Sequence, residues 1–431
     1  MDAKASNLGR RPSDRSPWSL PVLDSIRGQF VQGWMLITAA VAVIYSIGHG
    51  LPRSGEQAVS LMGAPVRSID LLQDGSMTYA LVLGVLPGND RERLAYLESK
   101  DRGLTFGAPA FIDLQGESVI SNRANMVRLV QKGNQRIAVY QVKGRFPRNG
   151  PLRVAVSNDN GAHWLSGIQP VTGDSLDNQG YPSIKMDEQG IAHLFWLDDR
   201  EEVGETVGLR MASSNDGGLT WHTEHTLDDQ ICTCCSMNVV DLPDSHLAIL
   251  YRDHAPKDMR LGLLDAVSSR WFQRSRVGAY DWRFDGCPHM GGGLQGQWLN
   301  EGFVLHAAVW TGANNRQGIH YLRSKDLGAS WSDDLLLDEF GSDPDLVAVE
   351  GERLAVAYRQ GIGSSGRIIV RISNDAGLHW KSLRSLGGSS VRVDRPKLIA
   401  DPTGVTVFWT ESSDANGRRL RHHSASWSDP Q

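Results

Sequence analysis

The sequence has no basic stripe with interleaved aromatic residues, and its charges nearly balance: 44 lysines and arginines face 49 acidic residues, for a net charge of −5. Nucleic-acid-binding proteins concentrate positive charge on one face. The charge pattern therefore argues against a nucleic-acid partner. Long apolar runs are also scarce, since only one occurs in 431 residues, and the four cysteines are confined to two short stretches. Length and composition allow one large domain with an appendage.

The one long apolar run defines the appendage. Residues 30–48 contain no charged side chain, and a helix of this length would measure about 28 Å, close to the roughly 30 Å hydrocarbon core of a bilayer. An arginine-rich polar tail precedes the run at 1–29, and a linker follows at 49–57. A cleaved signal peptide is the alternative, but no small-x-small cleavage site follows Ile47. We predict a single-pass anchor in a bacterial inner membrane, with the tail in the cytoplasm and the remaining chain in the periplasm.

A short pattern recurs five times along the remaining chain. It reads Ser-x-Asp-x-Gly-x-(Thr/Ser/His)-(Trp/Phe) and occurs at 99–106, 157–164, 214–221, 324–331 and 373–380. In each copy the Asp can accept backbone N–H groups in a tight turn, the Gly can adopt a positive φ, and the aromatic residue can cover the turn. Five such turns at a regular spacing indicate a repeat architecture.

The spacing of these turns predicts the blades of a propeller. A sixth, decayed copy at 265–271 fills the one double gap, and a degenerate seventh lies at 421–427. Around each copy the chain reads as four short strands, of which the second ends in an aromatic residue, as in 191–196. Four-stranded units of roughly 40–60 residues, when arranged radially, form a β-propeller. We predict an all-β propeller over 58–431, with seven blades favoured over six, whose last blade takes its fourth strand from 58–62.

The repeated turns resemble the Asp-box (BNR) repeats of the sialidase superfamily. The resemblance covers about 58–427 and implies a propeller fold. It also implies a candidate activity, exo-sialidase-like glycoside hydrolysis. In that family three arginines hold the substrate carboxylate, a tyrosine activated by a glutamate is the nucleophile, and an aspartate is the acid/base. Asp boxes lie at the periphery of the blades, so they carry little information on activity.

The residues that this activity requires are only partly present. Arg67 stands where the family's Arg-Ile-Pro motif would begin the first blade, although Ile-Pro is absent. The stretch 235–244, which corresponds to the loop of the activating glutamate, has no acid at the critical place, and 393–398 offers no tyrosine. A retaining mechanism needs both groups, so we favour a non-hydrolytic binding role over hydrolysis. The weak catalytic candidates are Arg67, Arg252, Arg359 and Asp113.

The cysteines precede the first strands of the predicted fourth and fifth blades. One loop carries Cys232, Cys234 and Cys235, the next carries Cys287, and neighbouring blades bring such loops together. We therefore expect a single cluster of soft donors, and the predicted metal ligands are Cys232, Cys234, Cys235, Cys287, Met237, His289 and Met290. This set suits Cu(I), and Zn(II) less well. The alternatives are disulfides that brace two blades of an interaction scaffold, and thiol exchange.

Other polar residues are expected on the same rim. Arg252, Asp253 and His254 end a second strand in the fourth blade, and Asp285 precedes the fifth. They indicate either a binding site for a glycan or a periplasmic protein or, for Arg252 and Asp253, an ion pair between blades. The sequence thus predicts a membrane-anchored periplasmic propeller whose thiol-bearing face binds a soft metal or serves as an assembly platform for a partner.

Overall fold

The computed structural model describes the propeller domain. The described residues are 57–59, 65–85, 91–122, 124–146, 149–171, 178–200, 206–361, 365–388, 391–413 and 417–428. The chain divides into two units, Met1–Arg53 and Ser54–Gln431, and all of these residues belong to the second. Within these ranges no helix is long and apolar enough to cross a membrane. The predicted tail, the predicted anchor at 30–48 and all but the last residue of the linker lie outside the described residues.

The described chain forms seven antiparallel sheets. The first strand, β1 (Gln57–Val59), belongs to the last of them. The first blade contains β2 (Val66–Asp74), β3 (Met77–Val85), β4 (Glu92–Ser99) and β5 (Ala110–Ile112). The second contains β6 (Val119–Ile120), β7 (Arg128–Lys132), β8 (Gln135–Val142), β9 (Leu152–Ser157) and β10 (Leu165–Ile168). The third contains β11 (Gln179–Met186), β12 (Ala192–Asp198), β13 (Thr206–Ser214) and β14 (His225–Cys232).

The remaining blades repeat this meander. The fourth contains β15 (Asn238–Leu242), β16 (His246–Arg252), β17 (Met259–Asp265) and β18 (Arg270–Val277). The fifth contains β19 (Gly293–Leu299), β20 (Gly302–Thr311), β21 (Gly318–Ser324) and β22 (Leu335–Asp338). The sixth contains β23 (Gly341–Val349), β24 (Arg353–Gln360), β25 (Arg367–Ser373) and β26 (Lys381–Leu386). The seventh contains β27 (Arg392–Asp401), β28 (Gly404–Ser413), β29 (Gly417–Ser426) and β1. The prediction of an all-β propeller with seven blades is confirmed.

The ring closes through β1. This strand pairs antiparallel with β29, so that Ala58 lies opposite Arg421. The predicted contribution of the N-terminal segment to the last blade is confirmed, over Gln57–Val59 instead of 58–62. Because the pairing covers the edge of β29 with a fourth strand, the first and last strands of the domain hold each other in place.

The hydrophobic core lies between neighbouring blades. Second strands are the most buried, and every residue of β12 is buried. Side chains of a strand alternate between its two faces, so each second strand contacts the blade before it and the blade after it. One cluster of buried apolar residues lies at each of the seven contacts between described blades. Burial of these side chains is the main favourable contribution to the stability of the ring.

The five repeated turns share one hydrogen-bond pattern, at the connection from the third to the fourth strand. In the first copy, Ser99 Oγ donates to Asp101 Oδ1 at 2.7 Å and accepts the N–H of Gly103 at 2.8 Å. Asp101 accepts the N–H of Thr105 at 2.8 Å and its hydroxyl at 2.6 Å. The other four copies repeat these contacts, with a histidine ring replacing the hydroxyl in two. The predicted roles of Asp and Gly are confirmed, and the role of the Ser hydroxyl is an addition from the structure.

The glycine of each turn also contacts the preceding blade. A Cβ atom placed on Gly161, in the second blade, would overlap the ring of Tyr96 in the first. A Cβ atom on Gly103, in the first blade, would overlap the ring of Phe408 in the seventh. The glycine is therefore required twice, once for its positive φ and once for the close approach of two blades.

Two glycines with the same φ allow the two requirements, a positive φ and a close approach between blades, to be tested separately. Gly161 and Gly116 both have a φ of +82°, but a Cβ on Gly116 would meet nothing within 4 Å. We expect Gly116→Ala to lower the free energy of unfolding by about 1–2 kcal/mol, the cost of a left-handed alanine. Gly161→Ala should lower it by about 1–3 kcal/mol more, because of overpacking against Tyr96. Urea unfolding measures both losses, and equal losses would show that the contact between blades does not require glycine.

The carboxylates of the repeated turns make the fold sensitive to acid. Burial raises the pKa of Asp326, but hydrogen bonds from Ser330 and Ser324 outweigh this effect and lower the pKa to about 2. The pKa values of three equivalent carboxyls are lowered in the same way: Asp101, Asp216 and Asp375. A carboxyl with a lowered pKa stabilises the folded state above its unfolded pKa of about 3.9, and this stabilisation is lost as the pH falls toward the folded value.

We therefore expect the free energy of unfolding to decrease between about pH 4 and pH 2. Asp326→Asn removes one of the ionisations and keeps an amide oxygen as acceptor. This variant should be less stable than the parent at pH 7 and should lose stability less steeply below pH 4. Urea unfolding at a series of pH values measures both slopes, and parallel slopes would contradict the role of Asp326.

Candidate functional site

The first strands of all seven blades surround a central channel of about 430 Å³. Charged residues in the channel wall join neighbouring blades. Asp70 on β2 accepts the N–H of Leu129 on β7 at 2.9 Å and lies 3.5 Å from the guanidinium of Arg128. Asp345 makes the same two kinds of contact between the sixth and seventh blades. These wall charges are therefore engaged in holding the ring together.

Four first strands, β2, β11, β23 and β27, contain a β-bulge near their start, and the last three share one sequence feature. The pairing register shifts in β11, β23 and β27, and at each shift one residue precedes a proline: Tyr181, Asp343 and Arg395. Tyr181 and Asp343 have φ values of 56° and 55°, which non-glycine residues rarely adopt. Bulges re-aim side chains and are frequent next to functional sites. Tyr181 and Asp343 were not among the predicted site residues, although Xaa-Pro recurs at the start of three first strands and is a signal visible in the sequence.

Arg395 connects the last blade to the loops that carry the cysteines. Its Nε lies 3.3 Å from Oδ1 of Asp343, a carboxylate that is 3 % exposed. Its terminal nitrogens donate to Ser236 Oγ at 3.0 Å and to the carbonyl oxygen of His289 at 3.1 Å. Removing one member of such a buried ion pair is strongly destabilising. Arg395 therefore fixes the fourth-blade and fifth-blade loops relative to each other.

Three of the four cysteines meet. Cys232 ends β14, and the turn that follows returns Cys234 and Cys235 to it. The Sγ atom of Cys232 lies 3.8 Å from that of Cys234 and 3.7 Å from that of Cys235, and the last two are 4.0 Å apart. All three side chains are buried, with 2–4 % of each exposed. Their ligand atoms form the one group of metal-binding geometry found among the described residues.

Cys287 lies beside this cluster and outside it. Its side chain is exposed, and its Sγ atom is 3.2 Å from Oγ1 of Thr233. All four cysteines carry free thiols, so the bridge between Cys287 and the first loop that a disulfide-braced scaffold requires is not formed. The expectation of one four-thiol cluster is met for three of its members.

The other predicted soft donors lie at various depths in the two cysteine-bearing loops. Met237 is buried in the apolar contact between the third and fourth blades. Nδ1 of His289 is 2.8 Å from the carbonyl oxygen of Cys287. Met290 is half-buried and uses its backbone carbonyl to accept a hydrogen bond from Arg252. Tyr181 contacts the three buried thiols with its half-buried side chain.

Arg252 is a buried cation without a carboxylate partner. Only 2 % of the residue is exposed. Its guanidinium donates to the carbonyl oxygens of Met290 and Trp310, both at 3.0 Å, and of Lys257, and it lies 5.3 Å from the ring of Trp282. No ion pair of Arg252 with an acidic residue occurs in the described chain. A buried charge needs compensation, and the nearby thiol cluster is the available source of negative charge.

The three buried thiols have different acidities. Hydrogen bonds with Cys232 and Cys235, together with burial, raise the pKa of Cys234. Burial also raises the pKa of Cys235, but hydrogen bonds from Cys232 and Cys234 and the positive charge of Arg252 lower it overall, well below its ordinary value. The cluster thus favours one ionisation shared among its thiols, and the positive charge of Arg252 favours that ionisation.

The remaining rim candidates have local partners. Asp253 accepts a hydrogen bond from Nε of Arg260 at 2.7 Å, within the same blade, and also accepts the N–H of His254 at 2.8 Å. Asp285 is exposed on the loop that leads to Cys287. This loop is positioned by the buried carboxylate of Asp258, which accepts three successive N–H groups, those of Tyr280, Asp281 and Trp282.

The weak catalytic candidates lie apart in the ring. Arg67 forms an ion pair with Glu92 at 2.7 Å and lines a pocket of about 270 Å³ at the mouth of the seventh and first blades. Arg359 is buried and donates to the carbonyl oxygen of Ser365 at 2.9 Å. Asp113 accepts the N–H of Gln115 at 2.9 Å in a turn between the first two blades. Arg252, the fourth weak candidate, donates its hydrogen bonds to backbone carbonyl oxygens.

No protein-family model matches the chain, and no curated protein matches it in sequence. Solved structures match its fold. An ulvan lyase, a polysaccharide lyase, aligns over 86 % of this chain and 95 % of its own, with a TM-score of 0.54 and 12 % identity. The polysaccharide lyase Uly1 aligns over 90 % and 95 %, with a TM-score of 0.50 and 10 % identity. The NanB sialidase from Streptococcus pneumoniae aligns over 90 % of this chain and 73 % of its own, with a TM-score of 0.46 and 12 % identity.

The propeller is thus similar in fold to the two polysaccharide lyases. The likeness to sialidases inferred from the repeated turns stays a prediction, since the sialidase aligns with a TM-score below 0.5. At 10–12 % identity, the likeness carries nothing about substrates, because one fold serves many activities. The chemistry of this chain has to be inferred from its own residues.

The exposure of the thiols predicts how they react. We expect 5,5′-dithiobis(2-nitrobenzoate) to modify one thiol of the reduced, metal-free protein rapidly and the other three only after unfolding, because reaction requires access as well as a thiolate. The fast phase should disappear in Cys287→Ser and persist in Cys234→Ser. Four thiols of equal reactivity would contradict the burial of the cluster, and four blocked thiols would indicate disulfides.

Proposed function

We propose that this protein is a membrane-anchored periplasmic propeller that binds one Cu(I) ion through Cys232, Cys234 and Cys235 and does not hydrolyse glycosides. The observation that carries the proposal is the triangle of buried sulfur atoms at the start of the fourth blade. The sequence of residues 30–48 supports the anchor, and the arginine-rich tail supports its orientation.

The dimensions of the triangle suit a metal. With separations of 3.7, 3.8 and 4.0 Å, a point equidistant from the three sulfur atoms lies about 2.2 Å from each, close to the ~2.3 Å of a metal–thiolate bond. Soft thiolate donors select Cu(I) or Zn(II) and disfavour hard cations, which bind oxygen.

The number of donors favours Cu(I) over Zn(II). Structural zinc sites are almost always four-coordinate, whereas the group found here contains three sulfur atoms. Cys287, the remaining thiol, is exposed and contacts Thr233 instead of the triangle. Three thiolates suit the low coordination number of Cu(I), and no further Cys, His, Asp or Glu joins the group among the described residues.

Electrostatics around the triangle support an anionic occupied state. Three thiolates and Cu(I) together carry a net charge of −2, which would be costly to bury without compensation. Arg252 supplies a buried positive charge with no carboxylate partner, close enough to lower the pKa of Cys235. The guanidinium of Arg252 already donates to three backbone carbonyl oxygens. These hydrogen bonds argue against a role for Arg252 in holding a substrate carboxylate, and so against the sialidase-like alternative.

Copper titration tests the proposal. Reduced, metal-free, full-length protein is titrated anaerobically with Cu(I) in competition with bicinchoninate. We expect the parent to bind about one equivalent and the combined Cys232→Ser, Cys234→Ser, Cys235→Ser variant to bind none, because oxygen is a poor donor to Cu(I). Cys287→Ser, the matched cysteine control, should retain the equivalent.

Other outcomes decide between the alternatives. Full binding by the triple variant would overturn the copper site. A site that retains Zn(II) against excess Cu(I) would reassign the metal. Turnover of an aryl sialoside that disappears in Arg67→Ala would favour the hydrolase, and a thermal midpoint that falls on reduction would favour the disulfide-braced scaffold.

A further inference from the structure

Access to the buried triangle requires an intermediate donor. The three ligand thiols are 2–4 % exposed, and Tyr181 covers them with its half-buried ring. A Cu(I) ion in a cell is held by other soft donors, so it reaches a new site by exchange of ligands. A donor on the surface, adjacent to the buried thiols, would provide the first new bond.

Cys287 occupies this position. It is the exposed cysteine of the four. Its Sγ atom lies 3.2 Å from the hydroxyl of Thr233, and Thr233 is the residue between the ligands Cys232 and Cys234. The sulfur of Cys287 is therefore held against the ligand loop from outside, close to the triangle and excluded from it.

The loop around Cys287 is fixed at both ends and exposed between them. Asp258 holds the N–H groups of Tyr280, Asp281 and Trp282, and Arg252 holds the carbonyl oxygen of Met290. The residues between these anchors include two further soft donors, the imidazole of His289 and the thioether of Met290, both half-buried. The loop thus carries one exposed thiol, which contacts the ligand loop, and two half-buried soft donors.

We propose that Cys287 is a loading thiol, which takes Cu(I) from a carrier and passes it to Cys232, Cys234 and Cys235. This inference rests on the proposed copper site. In the first step the thiol of Cys287 loses its proton to solvent as its sulfur binds the Cu(I) of the carrier, and the released carrier thiolate takes up a proton. In the second step the buried cysteines bind the ion as thiolates and release the protons of their thiols; one proton returns to Cys287 as it leaves the ion, and the others pass to solvent. Copper remains Cu(I) throughout, so no oxidant or reductant is needed.

The partner that fits this surface is a copper carrier with an accessible thiolate or thioether site. The carrier has to expose its ion, because the sulfur atom of Cys287 has to bind that ion directly for exchange to begin. Cu(I)–glutathione has the same donor chemistry and serves as the probe. The rate of transfer and the amount transferred can then be measured separately.

Stopped-flow transfer from Cu(I)–glutathione to the full-length, metal-free protein tests the loading thiol. We expect Cys287→Ser to reach the same final stoichiometry and affinity as the parent, but about tenfold or more slowly, because a tethered donor acts at a high effective concentration. Thr233→Val, which removes the hydrogen bond to Cys287, should slow transfer to a smaller extent. Arg283→Gln changes an exposed residue of the same loop without a donor role and should transfer at the parent rate.

Each alternative outcome is distinct. Transfer to Cys287→Ser at the parent rate would overturn the loading role and leave the copper site intact. A weakened equilibrium affinity in Cys287→Ser would also overturn it, since Cys287 would then be a permanent ligand. Binding of one equivalent by the variant that lacks Cys232, Cys234 and Cys235 would overturn the copper site itself.

Discussion

Close contact between each repeated turn and the preceding blade is the constraint on which this ring depends. Because the glycine at that contact has no side chain, the two sheets lie closer together than a Cβ atom would permit. Gly161 packs in this way against Tyr96, and Gly103 against Phe408. The second of these contacts spans the closure between the last and first blades. The spacing of the blades is therefore set at the periphery, and the first strands at the centre inherit fixed positions around the channel.

A ring fixed in this way can hold local features that are unfavourable alone. Tyr181 and Asp343 keep a left-handed backbone, which costs of order 1–3 kcal/mol and persists only where the surroundings determine it. Two buried arginines are compensated in different ways. Arg395 faces the carboxylate of Asp343, whereas Arg252 faces backbone carbonyls and the thiol cluster. The unusual chemistry of the cluster thus depends on the rigidity of the blades around it.

The fold was predictable from the sequence because its signal is local and repeated. Each repeated turn is specified by five positions within eight adjacent residues, and the repeat spacing then gives the number of blades. The cluster was predictable only in part. Adjacent loops indicated that cysteines would meet, but the separation of Cys287 from the other three depends on side-chain directions at 3–4 Å, which spacing does not encode. The partners of Arg252 lie up to 58 residues away, so its role could not be inferred from the neighbouring Asp253.

The pairing of β1 with β29 has a consequence for biosynthesis. β1 is among the first residues of the domain to be made, and its partner strand is among the last. Until then the seventh blade lacks its outer strand and the first blade lacks the neighbour that covers Phe106 and Gly103. A chain that stops early therefore keeps two apolar blade faces exposed to proteases and chaperones. Both apolar faces are covered only after β29 has been synthesised and has paired with β1.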